Sequence, residues 1–221
     1  LKGERRLKIG VDWDLAPKGE IRGDIQIQGA VNTTVSVTAE NSPVPPAWRG
    51  FVEADGYVSL EAEHGLAVSG ADGAQWSKIP DYGRTLSGMT PTPSTYSSFV
   101  PGQGPRLEYR MFLSHSGKVK VSGIFGPSLA FDPAHGLRVG VSFDDQTVKV
   151  IDVAPVYLSR DWEKAVSDSV REVSTELLLE RPGAHTLKIW AIDPGVVLEK
   201  LVVDLGGVRP SYLGPPESYR Q

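Results

Sequence analysis

The heptapeptide VSLEAEH, residues 58–64, sets two carboxylates two residues apart, at Glu61 and Glu63. Val58, Leu60 and Ala62 alternate with Ser59, Glu61 and Glu63, the pattern of a strand with one apolar and one polar face. On such a strand the two glutamates share a face, about 7 Å apart at the backbone. Like charges at that spacing repel unless something holds them. The pair therefore reads as a catalytic acid pair, a metal site or a solvated strand face. Carboxylate-pair hydrolysis needs roughly 5–10 Å between the carboxyl groups and one acid with a raised pKa. The distance fits, but two glutamates on one flat face share an environment, and nothing pushes their pKa values apart. Calcium fits better: it takes about six to eight oxygen ligands at roughly 2.3–2.6 Å in loose geometry. Glu199 and Asp204, in the closing segment VVLEKLVVDL, are candidates for a further carboxylate. A solvated strand face explains the same spacing with no ligand.

Sugar binding needs aromatic rings for stacking and a few polar groups. Trp76, Tyr82, Tyr96 and Phe99 fall in one stretch, residues 64–105, with Arg84 close by to pair with a uronic carboxylate. The alternative is that Trp76 and Tyr82 pin this stretch to the rest of the domain. Nucleophilic catalysis has little support. His64, His115, His135 and His185 are scattered, and His185, at a glycine-led turn into a strand, suits a structural hydrogen bond. No serine sits in a G-x-S-x-G elbow. There is no phosphate loop, and the G-x-G at residues 102–104 runs into Pro105, which spoils a helix start.

The elements that must position these residues are strands. The 221-residue chain is 40% hydrophobic and 23% charged, the balance of a globular protein able to build its own core. Net charge is −4 with acids and bases interleaved, which argues against a nucleic-acid partner. No apolar run approaches the ~20 residues of a membrane span. The chain has no cysteine, which excludes disulfides, thiolate chemistry and cysteine-ligated zinc. It starts at Leu1 without a signal-peptide pattern, and reads as a fragment or processed product. Its 24 glycines and 17 prolines fit many short strands joined by turns.

Leu7, Ile9, Val11 and Trp13, then Ile25 and Ile27, then Val35, Val37 and Ala39 predict three half-buried strands, with APKGEIRG as a turn between the first two. We assign residues 1–45 as the end of an upstream β domain. Residues 46–55 belong to a proline-rich linker with Trp48 packed at the junction, 56–208 to a β-sandwich and 209–221 to a C-terminal tail. About eight strands, over 57–63, 106–113, 118–124, 137–143, 148–151, 172–180, 185–193 and 196–205, make it an all-β fold, an antiparallel jelly-roll sandwich. Residues 161–171 break the period: Trp162, Ala165, Val166 and Val170 predict a short helix capped by Asp161. Residues 64–105 carry few strand signals and read as a long functional loop.

GYVSLEAEH, WSKIPDYGRT, LEYRMFL, GAHTLKIWAIDPGVVLEKLVVDLGG and PSYLGPPES, in that order, resemble the C-terminal region of glycoside hydrolase family 115, the xylan α-1,2-glucuronidases. VDWDLAPKGEIRGDIQIQG resembles the segment that precedes it. The second domain is also similar to carbohydrate-binding modules of families 6 and 35. There the resemblance implies a structural calcium, with Glu61 and Glu63 matching the EAE ligands and Glu199 standing where those modules have Asp; Asp204 is the second choice. It further implies that the catalytic machinery lies in upstream domains outside this chain, which would be inactive alone. The expected partners are xylan or glucuronoxylan, those upstream catalytic domains, and a second copy in a homodimer, with no nucleic acid and no membrane. The expected location is secreted, periplasmic or at a bacterial cell surface. A purely structural docking module without sugar affinity is the alternative.

Overall fold

The computed structural model describes residues 10–12, 15–29, 31–41, 44–45, 47–70, 73–130, 136–154 and 159–220. The chain divides into two compact units after Ala47. In the first, β1 (Gly19–Ile27) and β2 (Thr33–Asn41) form an antiparallel hairpin, with Ile21 opposite Ala39 and Ile25 opposite Val35. β1 starts earlier than its apolar alternation suggests. Residues 19–22, read as a turn from composition, are held by backbone pairing to residues 38–41, which is blind to side-chain polarity. The Asn41 amide anchors the hairpin's end, donating to Ala16 O at 2.8 Å. Of the strand expected before β1, Leu7, Ile9 and Trp13 lie outside the described residues, and Val11 is exposed and in no strand.

The second unit contains β3 (Phe51–Val52), β4 (Tyr57–Glu61), β5 (Leu66–Val68), β6 (Gln75–Pro80), β7 (Ser87–Thr92), β8 (Arg106–Leu113), β9 (Gly117–Phe125), β10 (Arg138–Phe143), β11 (Lys149–Asp152), β12 (Arg171–Leu179), β13 (Gly183–Ala191) and β14 (Leu198–Asp204). One sheet runs β11-β10-β13-β8-β3, with β5 also on β8; the other runs β12-β9-β14-β7-β6, with β4 also on β14. Pairings are antiparallel except β3 with β8. Alternate residues of β8 (Leu107, Tyr109, Met111, Leu113) and β13 (Leu187, Ile189, Ala191) point inward. There they join Val119 and Val121 of β9, Leu60 of β4 and Val203 of β14 in one buried core. This is the antiparallel jelly-roll sandwich that the alternation predicts.

Three features differ from the expectation. Residues 64–105 are not a structureless loop but contain β5, β6 and β7. β7, SGMTPT, buries Ser87, Gly88 and Met89 in succession, so it shows no alternation. Its small residues answer close packing: a Cβ on Gly88 would lie 2.8 Å from Val197 and 2.9 Å from the Tyr82 ring. The helix α1 (Arg160–Asp168) begins one residue before the expected cap. Ser159, not Asp161, caps it, its hydroxyl accepting from Trp162 N at 3.2 Å. Asp161 falls in the first turn, where its charge complements the helix dipole. Finally, β14 is bulged. Leu198 pairs with Phe125 and Lys200 with Ile124, so Glu199 is an extra residue. Leu198 and Leu201 both reach the core across a three-residue spacing, which a regular strand cannot do. The bulge turns Lys200 and Val202 to the outer face.

Candidate functional site

VSLEAEH is a strand only as far as Glu61; residues Ala62–His64 form a 3-10 turn. The chain leaves the sheet there because Ala62 O accepts from the Tyr109 hydroxyl at 2.8 Å and from Gly65 N at 3.3 Å. Glu61 and Glu63 therefore do not share a strand face. Glu61 stands on the outer face of β4 directly opposite Lys200 of β14. Its Oε1 is 3.0 Å from Lys200 Nζ, and its Oε2 accepts from the Thr85 hydroxyl at 2.6 Å. Glu63 is paired instead with Lys78, and Lys78 and the Ser87 hydroxyl hold its carboxyl below the usual range.

Glu199, pushed out at the bulge, is 2% exposed and packs against the turn before β7. Its Oε2 accepts from Arg84 N at 3.2 Å, while Oε1 is buried without a hydrogen bond. Gly83, at φ 92°, makes room: a Cβ there would collide with the Glu199 carboxylate. Burial pushes the Glu199 carboxyl up to about 7; the Arg84 amide opposes the shift and the Glu61 charge adds to it. Asp204 lies at the far end of β14, where Oδ1 accepts from Gly206 N at 2.8 Å and Val208 N at 3.3 Å. The four carboxylates expected around calcium thus do not converge. Among the described residues no three acidic or histidine side chains are grouped to hold a metal. Glu61 and Glu199 are both buried, at 4% and 2% exposure.

The C-terminal segment covers this cluster. Ser59 and Ser218 exchange hydrogen bonds, Ser59 N to Ser218 Oγ and Ser218 N to Ser59 O, both at 2.9 Å. Pro215 O accepts from Ser59 Oγ at 3.0 Å and from Lys200 Nζ at 3.1 Å. Glu217 Oε1 accepts from Glu61 N at 3.0 Å and meets His64 Nδ1 at 2.7 Å. The SYLGPPES sequence is therefore a strap laid over β4 and β14. Arg84 belongs to its fastening. The guanidinium stacks 4.2 Å above the Tyr212 ring and donates to Tyr212 O at 2.6 Å and to Asp168 O at 3.0 and 3.2 Å. It is spent on backbone carbonyls rather than offered to a uronic acid.

The aromatic residues expected to stack on sugar are also engaged. Trp76 is 4% exposed, and its Nε1 donates to Pro105 O at 3.1 Å. Tyr82 is half-buried against Gly88 and Gly126, its hydroxyl pKa raised by burial and then by the Glu199 charge. Tyr96 lies on Phe99, ring centroids 4.8 Å apart, with its hydroxyl buried. Burial, and then Asp193, raises its pKa. His185 is structural: Nδ1 meets Asp144 at 2.7 Å and Nε2 meets Arg181 O at 2.9 Å. His115 pairs with Glu53, and His135 lies outside the described residues.

Another group emerges on the outer face of the other sheet, which no segment straps among the described residues. Register sets Gly140, Trp190, Arg106 and Val68 in one cross-strand row, and Ser142, Lys188, Glu108 and Leu66 in the next. The Arg106 guanidinium lies 4.8 Å from the Trp190 centroid and pairs with Glu108 at 2.6 Å. Trp190 Nε1 donates to Ser142 Oγ at 3.2 Å, and Lys188 reaches Asp145 at 3.0 Å. The signal was present in HTLKIWAID: the alternation that buries Leu187, Ile189 and Ala191 turns Lys188 and Trp190 outward. A cleft beside Lys120, Glu172 and Arg209 has a volume of only about 100 Å³. Small-molecule sites usually need about 300 Å³ or more.

Residues 50–217 match the family model described as the glycosyl hydrolase family 115 C-terminal domain. None of the curated proteins matches the sequence. Among solved structures, BtGH115A, a family GH115 4-O-methyl-α-glucuronidase with specificity for decorated arabinogalactans, aligns at TM-score 0.47 and 19% identity. The alignment covers 68% of this chain and 18% of that one. The C-terminal CBM6 of LamC from Zobellia galactanivorans aligns at TM-score 0.45 and 13% identity, over 67% of this chain and 98% of that one. A family 35 carbohydrate-binding module from Clostridium thermocellum aligns at TM-score 0.44 and 11% identity, over 66% and 96%. The chain thus spans less than a fifth of the glucuronidase's length.

Proposed function

This chain belongs to the glycosyl hydrolase family 115 C-terminal domain family, and from that premise we propose that it is a non-catalytic accessory domain that holds glucuronoxylan for a xylan α-glucuronidase. The family places it in a carbohydrate-active enzyme; the contact with xylan is our reading. The observation that carries it is the open face of β10, β13, β8 and β5, where Trp190 and Arg106 stand side by side. Sugar rings offer apolar C–H faces to an indole, and a uronic carboxylate offers the bidentate partner that a guanidinium takes. Four adjacent strands at ~4.8 Å spacing make a platform about 14 Å across, long enough for an extended glycan rather than one sugar. Upstream domains of the same enzyme would perform the hydrolysis.

Affinity electrophoresis of the chain through glucuronoxylan, with arabinogalactan in a parallel gel, tests this reading. We expect retardation by glucuronoxylan that Trp190→Ala removes while circular dichroism stays unchanged. Retardation that survives Trp190→Ala would move the site elsewhere. A second reading has its own support: Leu66, 65% exposed, and Val150, 41% exposed, belong to the same sheet. Apolar side chains in the open suit docking against other domains of the parent enzyme or a second copy. No retardation on either polysaccharide favours that reading.

A further inference from the structure

The family resemblance implies a calcium ion held by Glu61, Glu63 and an acid of β14, yet both glutamates of the EAE segment already have cations. Glu61 faces the Lys200 ammonium at 3.0 Å, with the two side chains 6% and 3% exposed. Both Glu61 oxygens are used, one by Lys200 and one by Thr85. Lys200 Nζ is fixed a second time by Pro215 O of the strap. Glu63 has its own partner in Lys78. Asp204 is four residues along the strand from Lys200, roughly 13 Å away, and caps its own turn. Each glutamate of the EAE segment is thus matched by one ammonium, and the two pairs together are neutral. A divalent ion at Glu61 would sit within a few ångströms of a buried ammonium and be repelled by it.

We infer that the Lys200 and Lys78 ammonium groups take the charge-neutralising place of the metal, so that this domain folds and keeps its stability without divalent cations. The bulge makes this arrangement. With Glu199 as the extra residue, Lys200 turns away from the core and onto Glu61, while Glu199 itself is carried to Gly83. A buried ammonium persists only where it is paired and hydrogen-bonded, and Lys200 has both a carboxylate and a carbonyl. Lys78 is half exposed and contributes less.

Thermal unfolding of the full chain, treated with chelator and then measured with and without about 10 mM calcium, tests the inference; that concentration exceeds the roughly 0.1–1 mM range of weak calcium sites. We expect the melting temperature to agree within about 1 °C. A site filled at ten times its Kd or more would raise it by about 3 °C or more, and such a rise overturns the inference. Lys200→Met and Glu61→Gln, singly and together, give a second readout. Each single change should lower the melting temperature by about 10 °C, and the double variant should recover at least half of that loss. A double variant that loses the sum of the singles overturns the pairing. If either single variant does not fold, the calcium comparison on the wild-type chain decides alone.

Discussion

Beside β14, Arg84 lies over the Tyr212 ring at 4.2 Å; across the sandwich, Arg106 lies over Trp190 at 4.8 Å. The residue types are alike and their situations are not. The Arg84 guanidinium is committed to the carbonyls of Tyr212 and Asp168, and it fastens a strap over a sheet face. Arg106 pairs with Glu108 and lies over Trp190, on a face that no segment of the described residues straps. On the strapped face Glu61 and Lys200 are buried and paired with each other. On the open face the Arg106 and Glu108 side chains are 28% and 20% exposed, and their ion pair lies where a ligand could replace it. An arginine beside an aromatic ring is therefore no sign of a sugar site until the guanidinium's other donors are accounted for.

The comparison breaks first at the strap. Ending the chain at Val208 removes Pro215, Glu217 and Ser218, and with them the partners of Ser59, Lys200 and the Glu61 amide. At about 1 kcal/mol for each hydrogen bond lost, and more for the uncovered ammonium, the loss should reach roughly 5 kcal/mol. Urea unfolding reads it directly. If the truncated chain keeps the wild-type midpoint, the strap is an appendage and the two faces are equivalent.

A second difference lies in how the two sheets respond to acid. Glu199, on the strapped side, has a folded value of about 7, above its ordinary 4.5. Between those values the folded chain keeps a proton that the unfolded chain has released, so stability falls as pH rises through that window. Asp193, following β13, behaves oppositely. Burial raises its carboxyl, but Arg138, gripping it at 2.7 and 2.9 Å, and the Ser98 hydroxyl bring it below its ordinary value. Its contribution is present above the unfolded value and is lost as pH falls through the folded one. Urea midpoints from about pH 3 to pH 8 should show both limbs. Glu199→Gln should flatten the neutral limb and add on the order of 2 kcal/mol at about pH 8. Asp193→Asn should flatten the acid limb alone. A Glu199→Gln variant with an unchanged neutral limb would show that another group titrates there.

The sandwich was legible because its inner strands alternate. Leu107, Tyr109, Met111 and Leu113 announce β8, and Leu187, Ile189 and Ala191 announce β13. β7 was not legible, because it is buried by small residues on both faces and has no period to read. At the site, the sequence located the carboxylates but not their partners. Leu198 and Leu201 at an odd spacing in VLEKLVV were a sign of the bulge, and only the bulge turns Lys200 onto Glu61. Likewise nothing local to Arg84 names Tyr212 or Asp168, which lie far along the chain. Local pattern shows which face a side chain takes, whereas the satisfaction of buried charge depends on contacts between distant segments.

The smallest effect is the sharpest test of the two faces, because it applies one substitution to both. Arg84→Ala removes hydrogen bonds from a charged group to backbone carbonyls and uncovers Tyr212, which is already 67% exposed. Water can reach the freed carbonyls, so the loss should be about 1–2 kcal/mol, with no change in polysaccharide retardation. Arg106→Ala removes one surface ion pair and should cost about 0.5 kcal/mol or less. Its effect should appear instead as weaker retardation on glucuronoxylan, because the guanidinium there lies over Trp190, partly exposed, rather than under a strap. Differential scanning calorimetry and affinity gels on the same two variants separate the roles. If Arg106→Ala costs as much stability as Arg84→Ala and leaves retardation intact, the open face is structural as well, and the docking reading takes its place.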